Sequence, residues 1–161
     1  NNILLLQRNI FISAFMHGGY IHFCGNMLFL YVFAPAVEHR LGWMRFVIFY
    51  VLAVFASFYC HSFFNAHSKV IVVGASGAIA AVMGAYLFLN PKGRVLTIIP
   101  LILMLEVIEV PSFIFILIWF AIQGVHGFLS MHTASPVAWF SHIGGFLMGL
   151  TVGVHYRLTR S

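Results

Sequence analysis

The sequence predicts an all-α fold, a polytopic membrane helix bundle, and three observations carry that prediction. Hydrophobic residues make up 62% of the 161-residue chain and charged residues only 7%, against about 25% charged in a soluble domain. The mean hydropathy is +1.02. Apolar stretches recur close to the length that crosses a hydrocarbon core, about 20 residues at 1.5 Å rise for roughly 30 Å. No alternating barrel pattern accompanies them, and open sheet edges cannot face lipid. So little charge cannot coat a globule.

Five spans are expected, at about residues 20–37, 43–63, 76–90, 113–129 and 141–156. The third and fifth are short, so their ends should sit below the membrane surface. Residues 95–110 are apolar too, but Pro100, Glu106, Glu109 and Pro111 interrupt them. An interfacial or packed connection is expected there, with a further tilted span as the alternative. The opening stretch NNILLLQRNIF is too short for a complete span, and nothing resembles a signal peptide. Residues 1–161 therefore read as one membrane domain, truncated at its N-terminus.

The formal net charge of +5 comes from basic residues scattered singly, which argues against a nucleic-acid partner. Cys24 and Cys60 fall in apolar stretches and read as buried thiols, with a single bridge near the outer face as the alternative. Arg40, Arg45, Lys92, Arg94, Arg157 and Arg160 share one face if the five spans alternate, while Arg8 and Lys69 fall on the other. The positive-inside rule makes the richer face cytoplasmic. The first, third and fifth spans then run inward from the opposite face, and His22, Asn26, Ser76 and His142 lie at similar depth just below it.

A serine becomes a useful nucleophile when a base lies within hydrogen-bond reach, so Ser76 and His142 matter only if their helices approach closely. Gly145, Gly149 and Gly153 recur every four residues along one helix, and Gly77, Ala80, Ala81 and Gly84 give the other a small-residue surface. Small residues let membrane helices come nearly into backbone contact. Taken singly, a serine or a glycine stripe in such a helix is packing, whereas an intramembrane histidine is costly enough to suggest function. The shared depth joins them. His126 near a span end, and His17, His61, His67 and His132 in outer loops, read as interfacial.

An acidic third member is missing, because the chain has no aspartate and its carboxylates, Glu38, Glu106 and Glu109, fall towards the cytoplasmic face. A serine hydrolase built from this chain is a Ser–His dyad. His22 and Asn26, four residues apart and hence on one helix face, would direct a ring N–H and an amide N–H at a developing oxyanion. The Ser76 backbone N–H at a helix N-terminus would join them. The glycines beside Ser76 would leave room for a substrate backbone. Other protease chemistries lack their residues: there is no His-Glu pair for a zinc site and no aspartate pair. Ala78 replaces the last glycine of a Gly-x-Ser-x-Gly elbow.

The pieces HGGYIHFCGN, EHRLG, GASGA, GAYL and SHIGGF together resemble the rhomboid family of intramembrane serine proteases, in its order and roughly its spacing, from Phe15 to Gly153. The resemblance implies Ser76 as nucleophile and His142 as general base, with His22, Asn26 and the Ser76 amide on the oxyanion. It implies cleavage of transmembrane client proteins near their outer ends, no cofactor and no metal. It also implies a multi-pass location, here read as a bacterial cytoplasmic membrane with the site opening to the non-cytoplasmic side. Gly77, Gly84, Gly145 and Gly149 are the expected helix-packing support. The chain departs from the family in lacking the first of six spans and the Trp-Arg of the following loop. Ala80 stands where some members have a tyrosine against the histidine ring, so that ring must pack on something else. Two other classes compete: a non-proteolytic rhomboid-like protein that binds or retains membrane clients, and a small transporter with His22 and His142 in a proton path. The transporter lacks an inverted repeat and midplane acids.

Overall fold

The computed structural model describes residues 2–65, 74–101, 104–130 and 138–160. Lys69, His67 and His132 lie outside them. In chain order the elements are α1 (Asn2–Ser13), α2 (Tyr20–Leu41), α3 (Trp43–Phe64), α4 (Ser76–Leu89), β1 (Arg94–Leu101), β2 (Met104–Pro111), α5 (Ser112–Ser130) and α6 (Trp139–Arg160). The five expected spans are the helices α2 to α6. By length and composition α2, α3 and α5 are apolar enough to cross a membrane, and α4 is a shorter apolar helix. α6 is as long as α2 and α3 but ends in Arg157 and Arg160.

α4 is the axis of the bundle. Eleven of its fourteen residues are buried, as expected of a helix that is apolar all round. α2, α3, α5 and α6 surround it. Phe33 of α2 packs edge-on to Tyr86 of α4, with ring centroids 5.1 Å apart. α5 closes the ring between α2 and α6: Phe115 and Trp119 meet Phe29, and Phe120 stacks on Phe146 at 4.0 Å. The opposite faces of α2, α3 and α5 leave Leu28, Tyr31, Val47, Leu52, Leu117 and Val125 exposed, which is the side that lipid covers.

α2 and α3 are joined by one residue. Gly42 has φ +83°, a left-handed conformation that glycine adopts without a Cβ penalty. Its N–H closes on the Glu38 carbonyl at 2.7 Å while its own carbonyl accepts from Phe46 at 3.0 Å. One residue thus ends one helix and starts the next.

Three expectations need correction. Residues 95–110 are not the alternative tilted span: the connection between α4 and α5 is made mostly of an antiparallel hairpin, with Arg94 opposite Pro111 and Leu101 opposite Met104. The bundle is helical, yet not purely so. Val95, Thr97, Ile98, Val107, Ile108 and Val110 are β-branched and suit a pleated surface. Pro100 lies beside the turn and Pro111 at the strand end, positions a two-stranded ribbon tolerates. Ser112 fastens the hairpin's open end, its N–H and hydroxyl both donating to the Gly93 carbonyl at 2.9 Å. The second correction concerns His61, which lies not in an outer loop but in the last turn of α3, buried. Both its ring nitrogens lack a partner among the described residues. Cys24 and Cys60 are free thiols, and Cys24 is exposed on α2 rather than buried.

Candidate active site

α2, α4 and α6 run in the same direction, as the contacts at their two ends show. At one end the Tyr156 hydroxyl of α6 donates to the Arg40 carbonyl of α2. Leu89 and Pro91, at the end of α4, line a cavity there with Arg40, Arg157 and Arg160. At the other end Ser76 opens α4 and His142 lies one turn into α6. Their side chains meet: His142 Nε2 is 2.9 Å from Ser76 Oγ.

The glycine stripe accounts for that contact. A Cβ built on Gly145 would fall on the Gly77 carbonyl, one on Gly149 on the Ala81 carbonyl, and one on Gly84 on the Phe146 carbonyl. A Cβ on Gly153 would lie 2.9 Å from the Ala85 carbonyl oxygen. α6 therefore lies along α4 at backbone contact. Gly77 meets α6 and α3 together. Its Cβ would sit 2.5 Å from Ser57 Oγ and 2.6 Å from Ser141 Oγ, so protein hydroxyls fill the space proposed for a substrate backbone.

The entry to α4 is shaped by Gly74, whose φ is +101° and whose N–H donates to the Ser13 carbonyl at 2.9 Å. A Cβ there would lie 2.8 Å from His22 Cε1 and 3.3 Å from Asn26 Nδ2. The structure thus gathers His22 and Asn26 around the residue two before Ser76. Asn26 is buried, and its Nδ2 has no partner among the described residues. His22 is exposed and leans edge-on to the His17 ring at 5.3 Å. The helix begins after Ala75 with no side-chain cap, so the first-turn N–H groups, that of Ser76 among them, have no intrahelical partner. The Ser76 hydroxyl turns to His142 instead of capping.

Two tryptophans supply what Ala80 does not. The His142 ring lies 5.9 Å from Trp119 in a tilted contact and 5.9 Å from Trp139 edge-on. Ala80 itself is fully buried. One further residue reaches the site that the sequence reading missed. Gln123 of α5 is buried, and its Oε1 is 2.7 Å from His142 Nδ1. The signal was available, since Gln123 is a polar side chain within an apolar span. His126, by contrast, is exposed and stacks on Trp139 at 4.6 Å. Among the described residues no group of histidine, cysteine and carboxylate side chains is arranged to hold a metal.

A serine hydroxyl against an imidazole nitrogen, with the unpaired Asn26 amide beside Gly74, can do acyl transfer. Comparison with known proteins identifies the family. The Rhomboid domain family model matches residues 7–158. RHOMBOID-like protein 6, mitochondrial, of Arabidopsis thaliana is 32% identical over 141 residues, covering 88% of this chain and 41% of that protein. Presenilin-associated rhomboid-like protein, mitochondrial, of Bos taurus is 27% identical over 156 residues, 91% of this chain and 37% of its own length. RHOMBOID-like protein 4 of Arabidopsis thaliana is 28% identical over 144 residues, 86% and 31% respectively. The chain spans less than half the length of these relatives. A multi-pass helical bundle matched by that domain model over nearly its whole length, the chain belongs to the rhomboid family.

Proposed function

We propose that the protein is an intramembrane serine endopeptidase that cuts transmembrane client proteins near their outer ends, using Ser76 and His142. The observation that carries this reading is the 2.9 Å contact between Ser76 Oγ and His142 Nε2, held by backbone-close packing of α4 on α6. Ser76 Oγ attacks the scissile carbonyl carbon as His142 Nε2 takes its proton. The tetrahedral oxyanion is received by the Asn26 Nδ2–H, the Ser76 N–H and His22. Collapse breaks the C–N bond, and His142 returns the proton to the leaving amine. Water, deprotonated by the same ring, then releases the acyl group from Ser76. No metal or cofactor enters these steps. In a cytoplasmic membrane the site opens on the face opposite Arg40, Arg157 and Arg160.

The test uses the purified protein in proteoliposomes with a fluorescent transmembrane substrate and a fluorophosphonate probe. Wild type should cleave and label; Ser76→Ala should express normally, since loss of one hydroxyl leaves little void, and should do neither. Substantial cleavage by Ser76→Ala would remove Ser76 as nucleophile. A wild type that binds the substrate but neither cuts nor labels would indicate a non-proteolytic client-binding protein.

A further inference from the structure

We infer that Gln123 is a positioning residue for His142: its amide oxygen fixes the imidazole tautomer in which Nε2 is free to take the Ser76 proton. This rests on the proteolytic reading above and adds a third member to the dyad.

The inference follows from hydrogen-bond direction. For Nε2 to act as base towards Ser76 it must carry no proton, so the neutral ring must be protonated at Nδ1. A buried N–H needs an acceptor, and the group facing Nδ1 is Gln123 Oε1 at 2.7 Å. An amide can be turned end for end, which would present NH₂ to Nδ1 and favour the opposite, inactive tautomer. The Trp119 carbonyl prevents that turn. Gln123 Nε2 donates to it at 3.3 Å, and reversal would set two carbonyl oxygens against each other. The direction therefore runs unbroken: Gln123 Nε2–H to the Trp119 carbonyl, His142 Nδ1–H to Gln123 Oε1, and Ser76 Oγ–H to His142 Nε2.

The choice of an amide suits the surroundings. Soluble triads place a carboxylate at this point, but an ionised side chain within a membrane span is costly. Among the described carboxylates, Glu109 is paired with Arg94 in the hairpin, and Glu38 lies in the last turn of α2, the end away from the dyad. Glutamine supplies the acceptor without the charge. Trp119 and Trp139 against the ring limit its rotation, so the hydrogen bond selects the tautomer of a ring already oriented.

The experiment compares Gln123→Leu, Gln123→Asn and Gln123→Glu with wild type, reading kcat and KM on the transmembrane substrate and the rate of fluorophosphonate labelling of Ser76. Leu removes the acceptor at similar volume, and Asn is one methylene too short to reach. Both should lower kcat and the labelling rate by roughly 10–10²-fold, the worth of one buried hydrogen bond in the transition state, with KM unchanged. Glu, protonated on the oxygen that faces the Trp119 carbonyl, keeps an acceptor at the same reach and should restore most of the loss, a rescue that a purely structural role would not give. If Gln123→Leu fails to fold, Asn against Glu carries the same comparison. Wild-type kcat and labelling in Leu or Asn would overturn the inference while leaving the protease reading intact. Absence of cleavage and labelling in wild type would instead remove the reading on which it rests.

Discussion

Asn26 holds a buried amide whose Nδ2 has no protein partner among the described residues, beside Gly74 and close to Ser76. An unsatisfied buried donor is costly, and an oxyanion arriving at the site would satisfy it. Asn26→Ala should therefore reduce turnover by ~10²–10³-fold, with Ser76 still labelled by fluorophosphonate. His22→Ala should cost less, because His22 is exposed and water can take its place. Equal, wild-type rates in both would return the pair to helix packing. Gly74→Ala should also impair turnover, since its φ of +101° is one L side chains rarely adopt and its Cβ would crowd His22; wild-type turnover would show that the turn can relax. At this scale the sequence was readable where a polar residue interrupts apolar surroundings, which is how Ser76, His142, His22 and Asn26 stand out. Gln123 obeys the same rule, but a lone glutamine in an apolar span has no motif or spacing that ties it to His142. The tryptophans around His142 were not readable, because Trp119 in an apolar helix looks like any lipid-facing aromatic.

Helix contact explains more of the site than any single side chain does. Gly149 faces the Ala81 carbonyl so closely that no Cβ fits between them. Gly149→Val must part α4 from α6, at a cost of roughly 1–3 kcal/mol for overpacking, and a dyad displaced by about 1 Å can lose on the order of 10²-fold in rate. Activity and melting temperature should fall together. Leu147→Val, at an exposed position, should change neither. Wild-type cleavage by Gly149→Val would show that His142 reaches Ser76 without this stripe. The four-residue glycine spacing made the contact legible beforehand, since only a close backbone approach calls for it. The hairpin was illegible for the opposite reason. Its prolines and glutamates read as interruptions, whereas their register places Pro100 by the turn and Pro111 at the end. Glu109 pairs with Arg94 at 2.9 Å, both more than half exposed. Such a pair contributes ~1 kcal/mol at most, so Arg94→Ala should leave the melting temperature nearly unchanged. A large drop would assign the pair a structural role.

Among the described residues, the arginine cluster and the Ser76–His142 pair occupy opposite ends. Ser76, His142 and Asn26 gather where α4 and α6 begin, and Arg40, Arg157 and Arg160 where α2 and α6 finish. In a variant with Cys24→Ala and Cys60→Ala, an added Asn65→Cys should react with an impermeant thiol reagent outside intact cells. Lys92→Cys and Leu158→Cys should be protected until lysis. The reverse pattern would put the dyad on the cytoplasmic side. α4 has fourteen residues, so it is about 21 Å long against a hydrocarbon core of roughly 30 Å. Its Leu89 end shares the arginine-lined cavity, which assigns the missing ~9 Å to the Ser76 end. A lipid-facing helix this short would thin the bilayer around it. Eleven of α4's fourteen residues are buried among the other helices, so most of that shortfall would be met by protein rather than by thinned lipid. On the proposed reading, the depth of Ser76 is then measured from the arginine end by the residue count of a single helix, like a ruler standing on one membrane surface. Membranes of different acyl length would then change how far the opposite membrane surface stands from Ser76 while leaving the ruler's length the same.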